Sequence, residues 1–221
     1  RSRNIALASA LILSSVVCLP LLTSRVKAAT LLSDSFTGTT INTSNWAETD
    51  AGGVGGTSGN MQQNGALSMT GSGSWGTNYV VTQSTYDRSL GGLEMEADVT
   101  CGDIFGIGYG DPGVLSGGGE SYTMYAVSNT VYFSRQLSNS NAENITTAFT
   151  CTTGVPFHIR IAVGTTTGAA LYINGSGTAA GTVTGGTFNN KGFFLSGFNG
   201  SPTSVDNFVI NGVSAATAPD A

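Results

Sequence analysis

Apolar and polar positions alternate along most of this chain with a period of two. In Leu93-Glu94-Met95-Glu96-Ala97-Asp98-Val99 the four apolar residues fall on one face and the three acids on the other, the pattern of a half-buried antiparallel strand. Phe157-His158-Ile159-Arg160-Ile161-Ala162-Val163 repeats it. Further strands are predicted over residues 66–70, 79–82, 104–109, 122–127, 131–135, 170–173 and 192–198. Ser128-Asn129 and Thr166-Thr167-Gly168 read as hairpin turns, Asn and Gly supplying the unusual backbone angles. Leu31-Leu32-Ser33-Asp34-Ser35-Phe36, with Trp46 soon after, and Ser204-Val205-Asp206-Asn207-Phe208-Val209-Ile210-Asn211-Gly212 read as the first and last strands. Short strands separated by turn residues, with almost no helix-forming stretch, predict an all-β fold, an antiparallel two-sheet β-sandwich.

Residues before the first strand have a different pattern. Arg1 and Arg3 precede an apolar run from position 5 to 22, and Val26-Lys27-Ala28-Ala29 follows with small residues where a signal peptidase cuts. Residues 1–29 are therefore expected to be a secretory signal peptide; Ser14, Ser15, Cys18 and Pro20 weaken the rival reading of a membrane anchor. One domain is expected over 30–213, and residues 214–221 read as a tail or linker. Three Gly-rich stretches, 51–59, 71–76 and 110–119, interrupt the strand pattern as binding loops or plain connectors.

Loss of the leader changes the electrostatics. Arg88, Arg135, Arg160 and Lys191 are then the only Lys or Arg residues against thirteen acids, a formal net charge of 4 minus 13, or −9. Such a surface repels phosphate backbones and anionic lipid, so neither nucleic acid nor, after cleavage, membrane is an expected partner. Cys101 and Cys151 remain, and in an exported chain an even pair is expected to form a disulfide.

The opening Asp34-Ser35-Phe36 with Trp46, the strand Gly92-Leu93-Glu94-Met95-Glu96-Ala97-Asp98-Val99, the Phe157 strand leading to Ala170-Leu171-Tyr172-Ile173-Asn174-Gly175, and the closing Val205-Asp206-Asn207-Phe208 resemble the concanavalin A-like lectin and glucanase superfamily in its laminin-G-like form. The resemblance spans nearly the whole of 30–213. It implies a jelly roll with a concave face, used across the superfamily for glycan binding, glycan cleavage or adhesion between extracellular components.

Three kinds of chemistry can be weighed on that frame. Glu94, Glu96 and Asp98 share a strand face, and a retaining glycosidase needs two carboxylates about 5 Å apart. The glucanases of the superfamily carry Glu-x-Asp-x-Glu, whereas the order here is Glu-x-Glu-x-Asp, so a solvated strand face competes with catalysis. His158, the only histidine, is read as a surface side chain rather than part of a triad. For binding, a Trp or Tyr in a polar loop can stack on a sugar ring, which selects Trp75, Asn78 and Tyr79, and then Tyr109 beside Asp111; Trp46 reads as framework. Jelly-roll relatives hold a structural calcium near their terminal strands, which makes Asp34 and Asp206 candidate ligands, with a local turn at Asp206 as the plainer reading. No other cofactor is expected.

The expectation is a secreted domain that binds polysaccharide or another glycan without catalysis. An extracellular structural or adhesive protein, contacting matrix or cell-surface partners, is the alternative. A glucanase-type glycoside hydrolase using Glu94, Glu96 and Asp98 is the second.

Overall fold

The structure, a computed structural model, describes residues 29–49, 61–70, 78–112, 119–137, 142–199 and 202–212. The expected signal peptide up to residue 28, the expected tail, Trp75 and most of the three Gly-rich stretches lie outside the described residues.

Fifteen strands follow in chain order: β1 (Ala29–Asp34), β2 (Trp46–Thr49), β3 (Met61–Gln63), β4 (Leu67–Met69), β5 (Asn78–Thr82), β6 (Leu93–Thr100), β7 (Ile104–Gly110), β8 (Ser121–Val127), β9 (Thr130–Gln136), β10 (Ala142–Thr150), β11 (Pro156–Val163), β12 (Ala169–Ile173), β13 (Gly181–Val183), β14 (Gly192–Asn199) and β15 (Thr203–Gly212). A 3-10 turn, Arg88–Leu90, precedes β6. Eight strands form one sheet in the order β13-β12-β11-β6-β15-β4-β3, with β1 also paired to β15. The other seven form the second sheet, β10-β9-β8-β7-β14-β5-β2. All the pairings are antiparallel, so this is a two-sheet sandwich.

Alternation along the strands builds the core. Leu93, Met95, Ala97 and Val99 of β6 and Phe157, Ile159, Ile161 and Val163 of β11 meet Phe105 and Ile107 of β7, Met124 of β8 and Leu195 of β14 in one buried cluster. The register of β6 with β11 sets Glu94 beside Ala162, Glu96 beside Arg160 and Asp98 beside His158 on the opposite face.

The strands read as first and last, β1 and β15, pair with each other. The last strand, β15, is shared: Thr203–Val205 pairs with β4, and Phe208–Gly212 pairs with β1. The change of partner coincides with an irregularity between Asp206 and Val209, where Asn207 takes a φ of 49°. Trp46 is buried between Phe36 and Phe208, with ring centroids 5.5 and 5.1 Å away, and its Nε1 donates to Asp34 at 2.8 Å. It is framework.

Two links fix the loops. Cys101, just after β6, and Cys151, just before β11, are joined by a disulfide with their Cα atoms 6.0 Å apart. Ser128 and Asn129 both take positive φ, 49° and 65°, as a two-residue hairpin turn requires, and register β8 against β9.

Candidate functional site

The acidic strand face comes first. Glu94, Glu96 and Asp98 leave the eight-stranded sheet on the side away from the core, and β11 answers them with Arg160 and His158. Arg160 donates to Glu94 at 2.6 Å and lies 3.9 Å from the centroid of the Tyr172 ring. Nδ1 of His158 is 2.8 Å from Asp98, while its Nε2 stands 3.6 Å from Glu96. Asn207, placed by its left-handed backbone angle, donates to the other Asp98 oxygen at 2.9 Å. Hydrogen bonds from Asn207 first, and then from His158, hold the Asp98 carboxyl below the ordinary carboxylate range. That favours the ionised form, the wrong direction for a general acid, which must keep its proton near neutral pH.

The residues selected for binding are dispersed. Tyr109 lies between the sheets, fully buried, with its hydroxyl donating to the Tyr86 carbonyl at 2.9 Å. It shares a face with Phe105 and Ile107, so alternation carries it into the core rather than onto a binding rim. Desolvation there pushes its phenol pKa up. Asn78 is likewise fully buried. Asp111 directly follows β7, half-buried, with its amide bonded to the Glu120 carbonyl. Tyr79 is half-buried and alternates with core residues Asn78 and Val80, so it faces away from the core. Trp75 lies outside the described residues.

Asp34 and Asp206 serve separate local networks. Asp34 accepts from the Phe36 amide at 2.8 Å, from the Trp46 indole and, at 3.4 Å, from Asn45. Asp206 accepts from the Asn207 amide at 2.7 Å, the local turn that was its plainer reading. Among the described residues, no group of three or more His, Cys, Asp or Glu side chains is arranged to hold a metal ion.

A second surface emerges on the outer face of the seven-stranded sheet. Tyr79, Ser196, Gly106, Tyr125, Tyr132 and Thr147 stand side by side on six successive strands. Strands are about 4.8 Å apart, so Tyr79 and Tyr125 are about 14 Å apart across the small residues Ser196 and Gly106. Tyr125 and Tyr132 stack with centroids 5.3 Å apart and planes 21° from parallel. Both are half-exposed, whereas Ser196, Thr123 and Phe194 on the same face are fully buried. Val127 and Thr147 are exposed beside the pair. Hydroxyls and amides fill the next positions: Ser121 and Thr123 are bonded at 2.6 Å, and Gln136 donates to Ser134 at 2.9 Å. Desolvation, and secondarily Tyr132, pushes the Tyr125 phenol pKa up, so the hydroxyl keeps its proton at neutral pH. The surface offers apolar ring faces bordered by Thr130 and the exposed Thr147, while the Ser121, Thr123, Ser134 and Gln136 side chains are buried.

Tyr125 and Tyr132 were not selected from the sequence, although the signal was present. A two-residue turn at 128–129 sets Tyr125 opposite Tyr132 once the hairpin is recognised.

No family model matches this chain, and no curated protein matches it. Solved structures do match in fold. The catalytic domain of an endo-1,3-beta-glucanase (laminarinase) from Thermotoga petrophila matches with a TM-score of 0.56 at 12% identity, over 83% of this chain and 97% of that one. A laminarinase from Flavobacterium sp. UMI-01 gives 0.57 at 14% identity, over 83% and 100%. The beta-glucanase of Bacillus licheniformis gives 0.53 at 13% identity, over 82% and 97%. At such identities the likeness establishes architecture: the fold is the concanavalin A-like jelly-roll sandwich.

Proposed function

We propose that this chain is a secreted polysaccharide-binding domain, that its ligand lies across the outer face of the seven-stranded sheet, and that it does not cleave that ligand. The observation that carries the reading is the half-exposed Tyr125–Tyr132 stack. Pyranose rings present C–H faces that pack on aromatic rings, while flanking hydroxyls and amides take the sugar hydroxyls. Thr130 and Thr147 border the pair, and Tyr79 lies about three strand spacings along the row.

β-Glucan is the first polymer to test, because the solved structures sharing this fold carry glucanase and laminarinase names. Export fits the leader-like N-terminus, the acidic surface and the disulfide.

Hydrolysis is the second reading, favoured by those same names. Its carboxylates would be Glu94, Glu96 and Asp98, which here are engaged by Arg160, His158 and Asn207.

The test is affinity electrophoresis of the 30–213 domain through gels cast with β-1,3-glucan, mixed-linkage glucan and other polysaccharides, with a parallel assay for released reducing ends. Retardation without release is expected, and Tyr132→Ala should weaken it about tenfold, equivalent to about 1.4 kcal/mol. Release of reducing ends that Glu94→Gln abolishes would install the hydrolase reading. Unretarded migration in every gel would overturn glycan binding and favour the adhesive alternative.

A further inference from the structure

The outer face of the eight-stranded sheet carries a second pocket that the reading above does not use. Glu96, Arg160 and Tyr172 form one row across β6, β11 and β12, and Asp98 and His158 form the next. The turn after β12, with Asn174 at a φ of 51° and Gly175 at 70°, curls over them and bonds back: the Asn174 amide donates to the His158 carbonyl, and the His158 amide donates to the Asn174 side chain. A cavity of about 250 Å³ lies between the rows and this turn, lined by Glu96, His158, Arg160, Tyr172 and Ser176.

Two polar atoms face this space without a side-chain hydrogen bond. Asn207 and Nδ1 of His158 each bond one oxygen of Asp98. The other ring nitrogen of His158, Nε2, stands 3.6 Å from Glu96 Oε2, beyond hydrogen-bonding range, and the Glu96 carboxylate has no hydrogen bond among the described residues. Both side chains are a little over one-third exposed, His158 at 38% and Glu96 at 35%. The walls are fixed: Arg160 is clamped between Glu94 and the Tyr172 ring, and His158 is held at Nδ1 by Asp98.

We propose that this pocket is a separate site for one neutral sugar residue, whose adjacent hydroxyls hydrogen-bond with His158 Nε2 and Glu96 Oε2. Two polar atoms 3.6 Å apart match the two O–H groups of a vicinal diol, each of which can donate or accept. Glu96 and Asp98 repel carboxylate or phosphate ligands, and Arg160 in the same wall opposes an ammonium group, which leaves a neutral polyol. The site stands on the other sheet from the Tyr125–Tyr132 pair and does not rest on the polymer reading.

His158 is the only histidine, so its ring nitrogens give unambiguous signals in a protein carrying 15N-labelled histidine. Titration with methyl β-D-glucopyranoside or methyl β-D-galactopyranoside should move the Nε2 resonance saturably, with a dissociation constant on the order of 1–10 mM. Tetrahydropyran, a ring of the same size without hydroxyls, should not move it. Glu96→Gln, isosteric and on the surface, should weaken binding at least tenfold at unchanged melting temperature, while Tyr132→Ala should leave it unchanged. Absence of a saturable shift with both glycosides, an equal response to tetrahydropyran, or unchanged affinity in Glu96→Gln would overturn the proposal. If Tyr132→Ala abolished the His158 response, the independence of the two sites would fail.

Discussion

Arg88 ties three segments of the fold together from a buried position, and Arg88→Met tests how strongly. It is 1% exposed, and no carboxylate pairs with it among the described residues. Its guanidinium instead donates to the Tyr122 hydroxyl at 2.9 Å and to the carbonyls of Thr166 and Gly186, both at 2.7 Å. It sits 5.5 and 5.3 Å from the Tyr122 and Phe188 ring centroids. One buried cation thus ties the β11–β12 turn and the β13–β14 connection to β8. Three charge-assisted bonds at about 1.5–3 kcal/mol each amount to about 4–9 kcal/mol gross. Removing the buried charge returns several kcal/mol of desolvation. Gly186 O still accepts from Tyr122 at 3.1 Å, so Thr166 O is the carbonyl left without this donor. The net expectation is a loss of about 3 kcal/mol, or about 6–12 °C in melting temperature for a domain of this size. Circular dichroism melts measure the total. Hydrogen exchange locates it, because the Gly168 amide donates to the Tyr122 hydroxyl at 2.8 Å and should exchange faster while β6 and β11 stay protected. A loss below about 1 kcal/mol, or uniform acceleration of exchange, would refute the assignment of Arg88 as a local clamp.

Three further outcomes follow from the same geometry. Replacing Cys101 and Cys151 by Ala opens a loop of 50 residues and should cost about 4 kcal/mol by loop-closure entropy, read from urea midpoints against the oxidised protein; a cost under about 1 kcal/mol would point to residual denatured-state structure. Asp34→Ala orphans the Trp46 indole and the Phe36 amide and should cost about 2–3 kcal/mol, while Asp34→Asn, which keeps an acceptor oxygen, should cost less; equal losses would dismiss the hydrogen bonds as the cause. The folded-state pKa of Asp98 is lowered, so its contribution is present above its unfolded value, about 3.9, and is lost as pH falls through the folded value. Asp98→Asn should therefore flatten the decline in melting temperature below about pH 4, and an unchanged acid slope would contradict this.

Strands with one wet and one buried face are legible in the sequence from their alternation. β6 and β11 repeat buried and half-buried positions in strict alternation, and periodicity finds such strands. β10 went unpredicted for a physical reason. It is an edge strand whose register against β9 slips between Glu143 and Thr146 and again between Thr147 and Phe149, so its threonines have no constant inward face. β2, β3 and β13, with three or four residues each, are too short to show a period. Tyr109 was selected for binding although Phe105, Ile107 and Tyr109 alternate with glycines; reading that alternation to its end carries the ring into the core. The cross-strand partners of the acids, Arg160 and His158, depend on pairing residues 60 and more positions apart, which nothing local encodes.

The sandwich also constrains how binding and catalysis can be combined. Glu94, Glu96 and Asp98 leave the eight-stranded sheet on its outer face, and Tyr79, Tyr125 and Tyr132 leave the seven-stranded sheet on the opposite side of the molecule. Packed sheets are about 10 Å apart, with the core cluster between them and side chains standing beyond each. One pyranose ring therefore cannot touch the tyrosine stack and the acids together. On the seven-stranded face, β7 contributes glycines where side chains would stand: a Cβ at Gly108 would come within 3.0 Å of the Phe194 ring, which lies across that position. Ser196, Gly106 and Thr123 continue the small and hydroxyl-bearing floor. Cleavage needs a pair of carboxylates at the bond that the platform holds, and the described residues of this row provide hydroxyls and rings instead. The three acids meanwhile form a ladder with Arg160, His158 and Asn207 on the far sheet. If glycan is bound at both faces, the two events are separate, so loss of polymer retention in a tyrosine variant should leave the His158 pocket intact, and the reverse should hold for Glu96→Gln.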